Sequence, residues 1–154
     1  MSHSDQDATR LAVPSLGGWL SSLPLKLRPG KPSAIGAYRN SVLVGMPGNP
    51  LAAYVAMQII GLPLARRLCG LSSLFPARRP VESGFDLRRV QHTIEFVPAR
   101  IGECLDGSHH VKILSRGASA RLVPLAESDG LLCFDAEQMQ INAGDQVDFW
   151  PHAN

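Results

Sequence analysis

Residues 51–68 carry the clearest hydrophobic rhythm in the chain. Leu51, Val55, Ile59 and Leu62 recur at helical spacing and form one apolar stripe. Asn49 is a good N-cap for that helix, and Pro50 suits its first position, where a missing N–H costs nothing. Arg66 and Arg67 favour the negative C-terminal end, Gly70 supplies a left-handed stop, and Pro63 is expected to kink or split the helix. Upstream, Val42-Leu43-Val44 is a short β-branched run that reads as a buried strand, joined to the helix by the turn Gly45-Met46-Pro47-Gly48-Asn49-Pro50. Strand, tight turn and helix in that order predict an α/β arrangement. Asp7 to Leu16 predict a shorter helix, with Asp7 near its N-cap, Gly17-Gly18 ending it and Pro14 in a final irregular turn.

The rhythm changes near residue 75. Phe75 to Pro80 reads as a linker or extended entry strand, and helical periodicity then disappears. Short apolar bursts follow at Thr93–Val97, Val111–Leu114, Leu122–Leu125, Leu131–Phe134 and Gln146–Trp150. Between them stand Asp106-Gly107, Ser128-Asp129-Gly130 and Asn142-Ala143-Gly144-Asp145, all turn-forming. About five short strands in this stretch predict a small β-barrel or sandwich. The expected organisation is therefore an α/β part over residues 1–74, which the family resemblance described below makes an α/β half-domain, and a small all-β, barrel-like domain over residues 75–154.

Composition narrows the function classes. An apolar fraction of 45% fits a globular chain, and 15 Lys and Arg against 13 Asp and Glu leave no strong overall field for nucleic acid. The pairs Arg66–Arg67, Arg78–Arg79 and Arg88–Arg89 read as solvated faces, since no aromatics are interleaved with them. Cys69, Cys104 and Cys133 are too far apart for a metal knuckle and are expected to be buried free thiols. His109 and His110 are neighbours that would point to opposite sides of a strand, which argues against shared metal ligation. Without a leader pattern or a run of about 18 apolar residues, the expectation is a cytoplasmic protein without membrane or nucleic-acid partners.

Two turns carry candidate chemistry. Gly48, Asn49, Leu51 and Ala52 N–H groups, with the Asn49 side chain, stand at a helix start that carries partial positive charge. Arg28-Pro29-Gly30-Lys31-Pro32 sets two cations around a rigid Pro-Gly core, and Pro32 holds the Lys31 backbone away from helix. Each turn alone is also an ordinary connection with a surface cation. Together, one strand apart, they point to a shared anion site, and the residue pattern itself goes no further than that.

The paired motifs Pro29-Gly30-Lys31-Pro32 and Pro47-Gly48-Asn49-Pro50 resemble the PGKP and PGNP pair of the molybdopterin molybdenumtransferases, the family that includes the gephyrin E-domain. Asp5-Gln6-Asp7 with Leu16-Gly17-Gly18 is similar to that family's G-D-x-D … L-G-G segment. Ile94-Glu95-Phe96, Gly117-Ala118-Ser119, Ser128 to Leu131 and Ala143 to Val147 are similar to its C-terminal β domain. The resemblance implies a partial molybdopterin-binding domain over 1–74. It further implies insertion of molybdate into adenylylated molybdopterin with release of AMP, as a step in molybdenum cofactor biosynthesis.

By that resemblance, Lys31 with Arg28 contacts the pterin phosphate or molybdate. Pro29, Gly30, Pro47, Gly48, Asn49 and Pro50 shape the substrate loop, and Asp7 helps hold Mg²⁺, although helix N-cap is an equal reading for Asp7. The sequence departs from the family pattern in lacking its glycine-rich GG-x-S-x-G loop before Asp5. Ala118 stands where Gly is usual and Pro98 where Arg is common. Activity is accordingly expected to need a complementary N-terminal chain, or a homodimer. The alternative is a non-catalytic module that binds a pterin phosphate or a partner.

Overall fold

The computed structural model describes residues 8–90, 92–103, 109–117 and 122–152. The chain divides into two compact units, Met1–Phe75 and Pro76–Asn154.

The first unit opens with α1 (Ala8–Ser15). Gly17, at φ +84°, ends it, and the Gly17 and Gly18 N–H groups donate to the Pro14 and Val13 carbonyls. This is the glycine-capped stop that the Gly-Gly pair predicts. Pro14 lies inside the last turn of the helix and not beyond it. There follow β1 (Trp19–Pro24), β2 (Leu27–Arg28), β3 (Pro32–Tyr38) and β4 (Ser41–Gly45).

Strands β1, β3 and β4 form an antiparallel sheet in that order, with Ser22 opposite Ala34 and Ala34 opposite Gly45. Every described pairing in the unit's three-stranded sheet is antiparallel. β4 is also an edge strand whose residues are exposed or half-buried, because only β3 pairs with it, and is not the buried strand expected at Val42–Val44.

From Pro50 to Leu68 the backbone is helical throughout, as α2 (Pro50–Ala56), a wide π-turn (Met57–Gly61) and α3 (Leu62–Leu68). Pro63 explains the widening. It has no N–H for the Ile59 carbonyl and its ring needs room there, so Leu62 N–H reaches back five residues to the Met57 carbonyl. Gly70, at φ +79°, closes the far end, with Gly70 and Leu71 N–H groups on the Arg67 and Arg66 carbonyls. This 19-residue segment is long and apolar enough to cross a membrane by length and composition, which the expectation of no such run had missed. Leu51, Ala52, Val55, Ala56 and Gln58 on it are buried within the fold.

In the second unit β5 (Arg79–Ser83), β6 (Leu87–Arg88), β7 (Ile94–Glu103), β8 (His109–Ile113), α4 (Val123–Ala126), β9 (Gly130–Phe134), β10 (Gln140–Ile141) and β11 (Gln146–Pro151) follow one another. The ladder runs β7-β8-β5-β11-β9 and closes through β7–β9, so five strands form a barrel with no open edge. Alternate residues fill it: Val97 and Ala99, Val111, Leu132 and Phe134, Val147 and Phe149, with Ile141 beneath.

One local reading changes here: Leu122–Leu125 is not a strand, since Pro124 sits in the first turn of α4, where its ring suits a helix start. Of the two readings of Phe75 to Pro80, linker or entry strand, the strand holds from Arg79 on, and Arg79–Ser83 is a strand of the barrel.

Arg89 is likewise not on a solvated face. Its side chain is 1% exposed, bonds Glu95 through Nε at 3.2 Å and donates to the carbonyls of Thr93, Asp135 and Gln138. Arg116 grips the same carboxylate with Nε at 3.2 Å and Nη2 at 3.0 Å. Burial alone would raise the Glu95 pKa, but the two guanidiniums outweigh it and hold the carboxyl below its ordinary range. The cluster ties β7 to the loop between β9 and β10, and its function is structural. Of the cysteines, Cys133 is buried and its thiol pKa is pushed up to about 12, chiefly by burial. Cys69 is exposed, contrary to expectation, because it lies past the last turn of α3; Cys104 lies outside the described residues.

Candidate oxyanion site

The β3–β4 hairpin decides where the two motifs go. Ala34 and Gly45 are the last paired residues at its open end. Beyond them the chain runs back through Ser33 and Pro32 to Lys31, and forward through Met46 and Pro47 to Gly48. Antiparallel pairing therefore delivers both Pro-Gly turns to the same end of the sheet.

A second observation places them side by side. A Cβ built on Gly30 would lie 3.7 Å from the Ala52 carbonyl oxygen, in the first turn of α2. Gly30 itself has φ +126°, a conformation closed to other residues, and a Cβ there would also meet Leu27 Cδ1 at 2.8 Å. The buried Ser33 hydroxyl donates to the Gly30 carbonyl at 3.0 Å and fixes the turn. Gly30 and Pro47 are thus buried hinge points, Pro29, Asn49 and Pro50 are half-buried, and Arg28, Lys31 and Gly48 are exposed.

Asn49 caps α2 as its sequence predicts. Its Oδ1 accepts the Ala52 N–H at 3.1 Å, and its carbonyl accepts the Ala53 N–H at 2.8 Å. Ala52 N–H is thereby spent on the cap and drops out of the expected donor set, which otherwise comprised the Gly48, Asn49 and Leu51 N–H groups.

Charge adds a signal that the whole-chain balance conceals. Residues 8–75 contain seven Lys and Arg and no Asp or Glu, so the two units carry charge of opposite sign. An acid-free surface with exposed Arg28 and Lys31 at a helix start draws small anions. This asymmetry is present in the sequence but vanishes when charges are totalled over the chain.

Asp7 lies outside the described residues. Among the described residues no group of three or more His, Cys, Asp and Glu is placed to hold a metal ion. His109 and His110 stand in β8 with Gly102 opposite His110, and the His110 ring lies against Gly84 and Gly102.

Residues 80–152 match the MoeA C-terminal region (domain IV). The chain is similar to the proteins named molybdopterin molybdenumtransferase 2 from Mycobacterium tuberculosis strains CDC 1551 / Oshkosh and H37Rv. Identity to each is 27% over 127 residues, covering 80% of this chain and 30% of theirs. Its fold is similar to a crystal structure of the molybdopterin biosynthesis MoeA protein from Pyrococcus horikoshii. The TM-score is 0.73 at 18% identity, over 96% of this chain and 35% of that one. A molybdenum cofactor biosynthesis protein from Pyrococcus furiosus gives a TM-score of 0.60 at 20% identity, over 82% of this chain and 43% of that one. The chain spans about 30% of the length of the curated relatives it matches.

Proposed function

We propose that this chain, which corresponds to the C-terminal part of the molybdopterin molybdenumtransferase family, supplies the oxyanion-gripping end of an enzyme that inserts molybdate into adenylylated molybdopterin. In this reading residues 1–74 are the hairpin-and-helix portion of a larger α/β domain, and the C-terminal barrel is that enzyme's last domain. The observation that carries the proposal is the approach of Gly30 to the first turn of α2, which sets the Lys31 turn beside the Gly48 turn.

The residues divide the work by chemistry. Lys31 and Arg28 offer ammonium and guanidinium donors to a phosphate or molybdate oxygen, and charge-assisted bonds of this kind are the strong ones. Gly48 brings backbone close to the ligand without a side chain in the way: a Cβ there would meet nothing within 4 Å. Pro47 and Pro50 hold the loop rigid, so less ordering entropy is lost on binding. Among the described residues no group of three or more His, Cys, Asp and Glu is placed to hold Mg²⁺, and the expected ligand Asp7 lies outside them. AMP release and molybdate transfer draw on groups that the other parts of the enzyme contribute.

The binding half of the proposal is tested by melting the full chain with sodium molybdate or inorganic phosphate at constant ionic strength. Either anion should raise Tm, and Lys31→Ala should remove most of the gain. No shift for either anion, or an undiminished shift in the variant, would overturn it. The catalytic half is tested by co-expressing the chain with the preceding domains of a family member and measuring molybdenum incorporated into the cofactor. Restored insertion that Lys31→Ala abolishes supports the reading. Failure with several such partners favours instead a module that binds without catalysing.

A further inference from the structure

Gly61 ends the π-turn that Met57 begins, and it is buried. Its φ of −64° and ψ of −52° are ordinary helix, so the backbone does not call for glycine there. Space does. A Cβ on Gly61 would lie 2.5 Å from Met57 Sδ and 3.1 Å from Met46 Cε. A helical side chain points back over the preceding turn, which for residue 61 is the place of Met57. With that volume left open by glycine, the Met57 thioether folds into it and the tip of Met46 reaches the same place. Unbranched thioethers suit such irregular gaps. Glycine is unfavourable beside alanine inside a helix, so its presence here is offset by what the gap admits.

Met46 belongs to the turn between β4 and α2, next to buried Pro47 and two residues before exposed Gly48. On the far side of Gly48 the Asn49 cap holds the chain, its Oδ1 accepting the Ala52 N–H at 3.1 Å and its carbonyl the Ala53 N–H at 2.8 Å. Gly48 is thus held from both ends, by a cap on one side and by a side chain anchored at Gly61 on the other. We propose that Met46 and Met57, meeting at Gly61, are positioning residues for the oxyanion turn: they tie its β4 side to the helix that follows and keep the Gly48 N–H aimed. This rests on the reading of that turn as an anion site. A donor fixed in advance loses less ordering entropy when the anion arrives.

The test compares Gly61→Ala, Met46→Ala and Met46→Leu in the full chain. Gly61→Ala puts a methyl where the thioether lies. The end of the Met57 side chain can swing clear and alanine is favoured in the helix, so the urea midpoint should hold at the wild-type value or rise. The tether is lost all the same. Hydrogen exchange at the Ala52 and Ala53 amides, which report the cap, should quicken about fivefold or more relative to the amides of α3, and Kd for molybdate should rise by a similar factor. Met46→Ala removes the tether without altering the helix and should give the same pattern. Met46→Leu keeps the apolar reach and should retain wild-type exchange.

Unchanged exchange at Ala52 and Ala53 in both Gly61→Ala and Met46→Ala would overturn the proposal. So would a uniform quickening across the first unit, which is what packing without positioning gives. The exchange readout needs no anion, so the two readings fail separately. A cap-amide response without molybdate binding by any form keeps the tether and sinks the oxyanion reading of the turn. Molybdate binding that Gly61→Ala and Met46→Ala leave unchanged sinks the positioning role alone.

Discussion

Replacing Gly30 with alanine puts the central geometric claim under direct load. Its φ of +126° is open only to glycine, and holding another residue there costs about 1–3 kcal/mol. The new methyl would also stand 2.8 Å from Leu27 Cδ1. Leu27 is only 5% exposed, so its side chain has little room to yield, and overpacking of this kind costs at least about 1 kcal/mol. The two effects together predict a loss of about 2–4 kcal/mol in the first unit.

Gly48 provides the control. It belongs to the partner motif, yet its φ is not in the left-handed region and an added Cβ would touch nothing within 4 Å. Gly48→Ala should therefore change stability by no more than about 0.5 kcal/mol while weakening anion binding, because the methyl intrudes on the ligand's approach. Urea denaturation followed by circular dichroism, paired with anion-induced Tm shifts, separates the two effects. Equal destabilisation by both substitutions would refute the reasoning, since it would mean that the turns are held by something other than the Gly30 conformation.

Further outcomes follow from the barrel. Arg89→Met strips Glu95 of a buried partner and leaves three carbonyls without their donor, so it should cost about 3–5 kcal/mol; a near-neutral value by chemical denaturation would contradict the clasp. Acid should destabilise the chain through two groups. Burial holds the His152 pKa below its ordinary value despite the opposing Asp129 charge, so its contribution is present above that value and is lost as pH falls through the lower folded one. Glu95, also depressed, contributes fully above the ordinary glutamate range and loses that contribution as pH falls through its own lower folded pKa. Tm should therefore decline from neutral pH into the histidine range and again below the glutamate range, with the second decline reduced in Glu95→Gln. A Tm independent of pH across both ranges would refute the assignment.

What the sequence determined by itself were the features written in local covalent and steric preferences. Asn49-Pro50 starts a helix because one side chain caps and the other needs no donor; Gly17 and Gly70 stop helices because they alone enter positive φ cheaply; and the Pro-Gly turns are rigid wherever they stand. The strand bursts at Thr93–Val97, Val111–Leu114, Leu131–Phe134 and Gln146–Trp150 were legible as short apolar runs separated by turn-forming residues.

Tertiary structure decided what depends on partners distant in the chain. Arg89 looks solvated beside Arg88 until the barrel brings Glu95 and three carbonyls around it. Arg79–Ser83 becomes a strand only because β8 and β11 flank it, and the sheet of the first unit is antiparallel because β3 returns against β1 as well as pairing with β4. The meeting of Gly30 with the start of α2 is of the same kind: each turn carries its own shape, but only the hairpin register brings the two together.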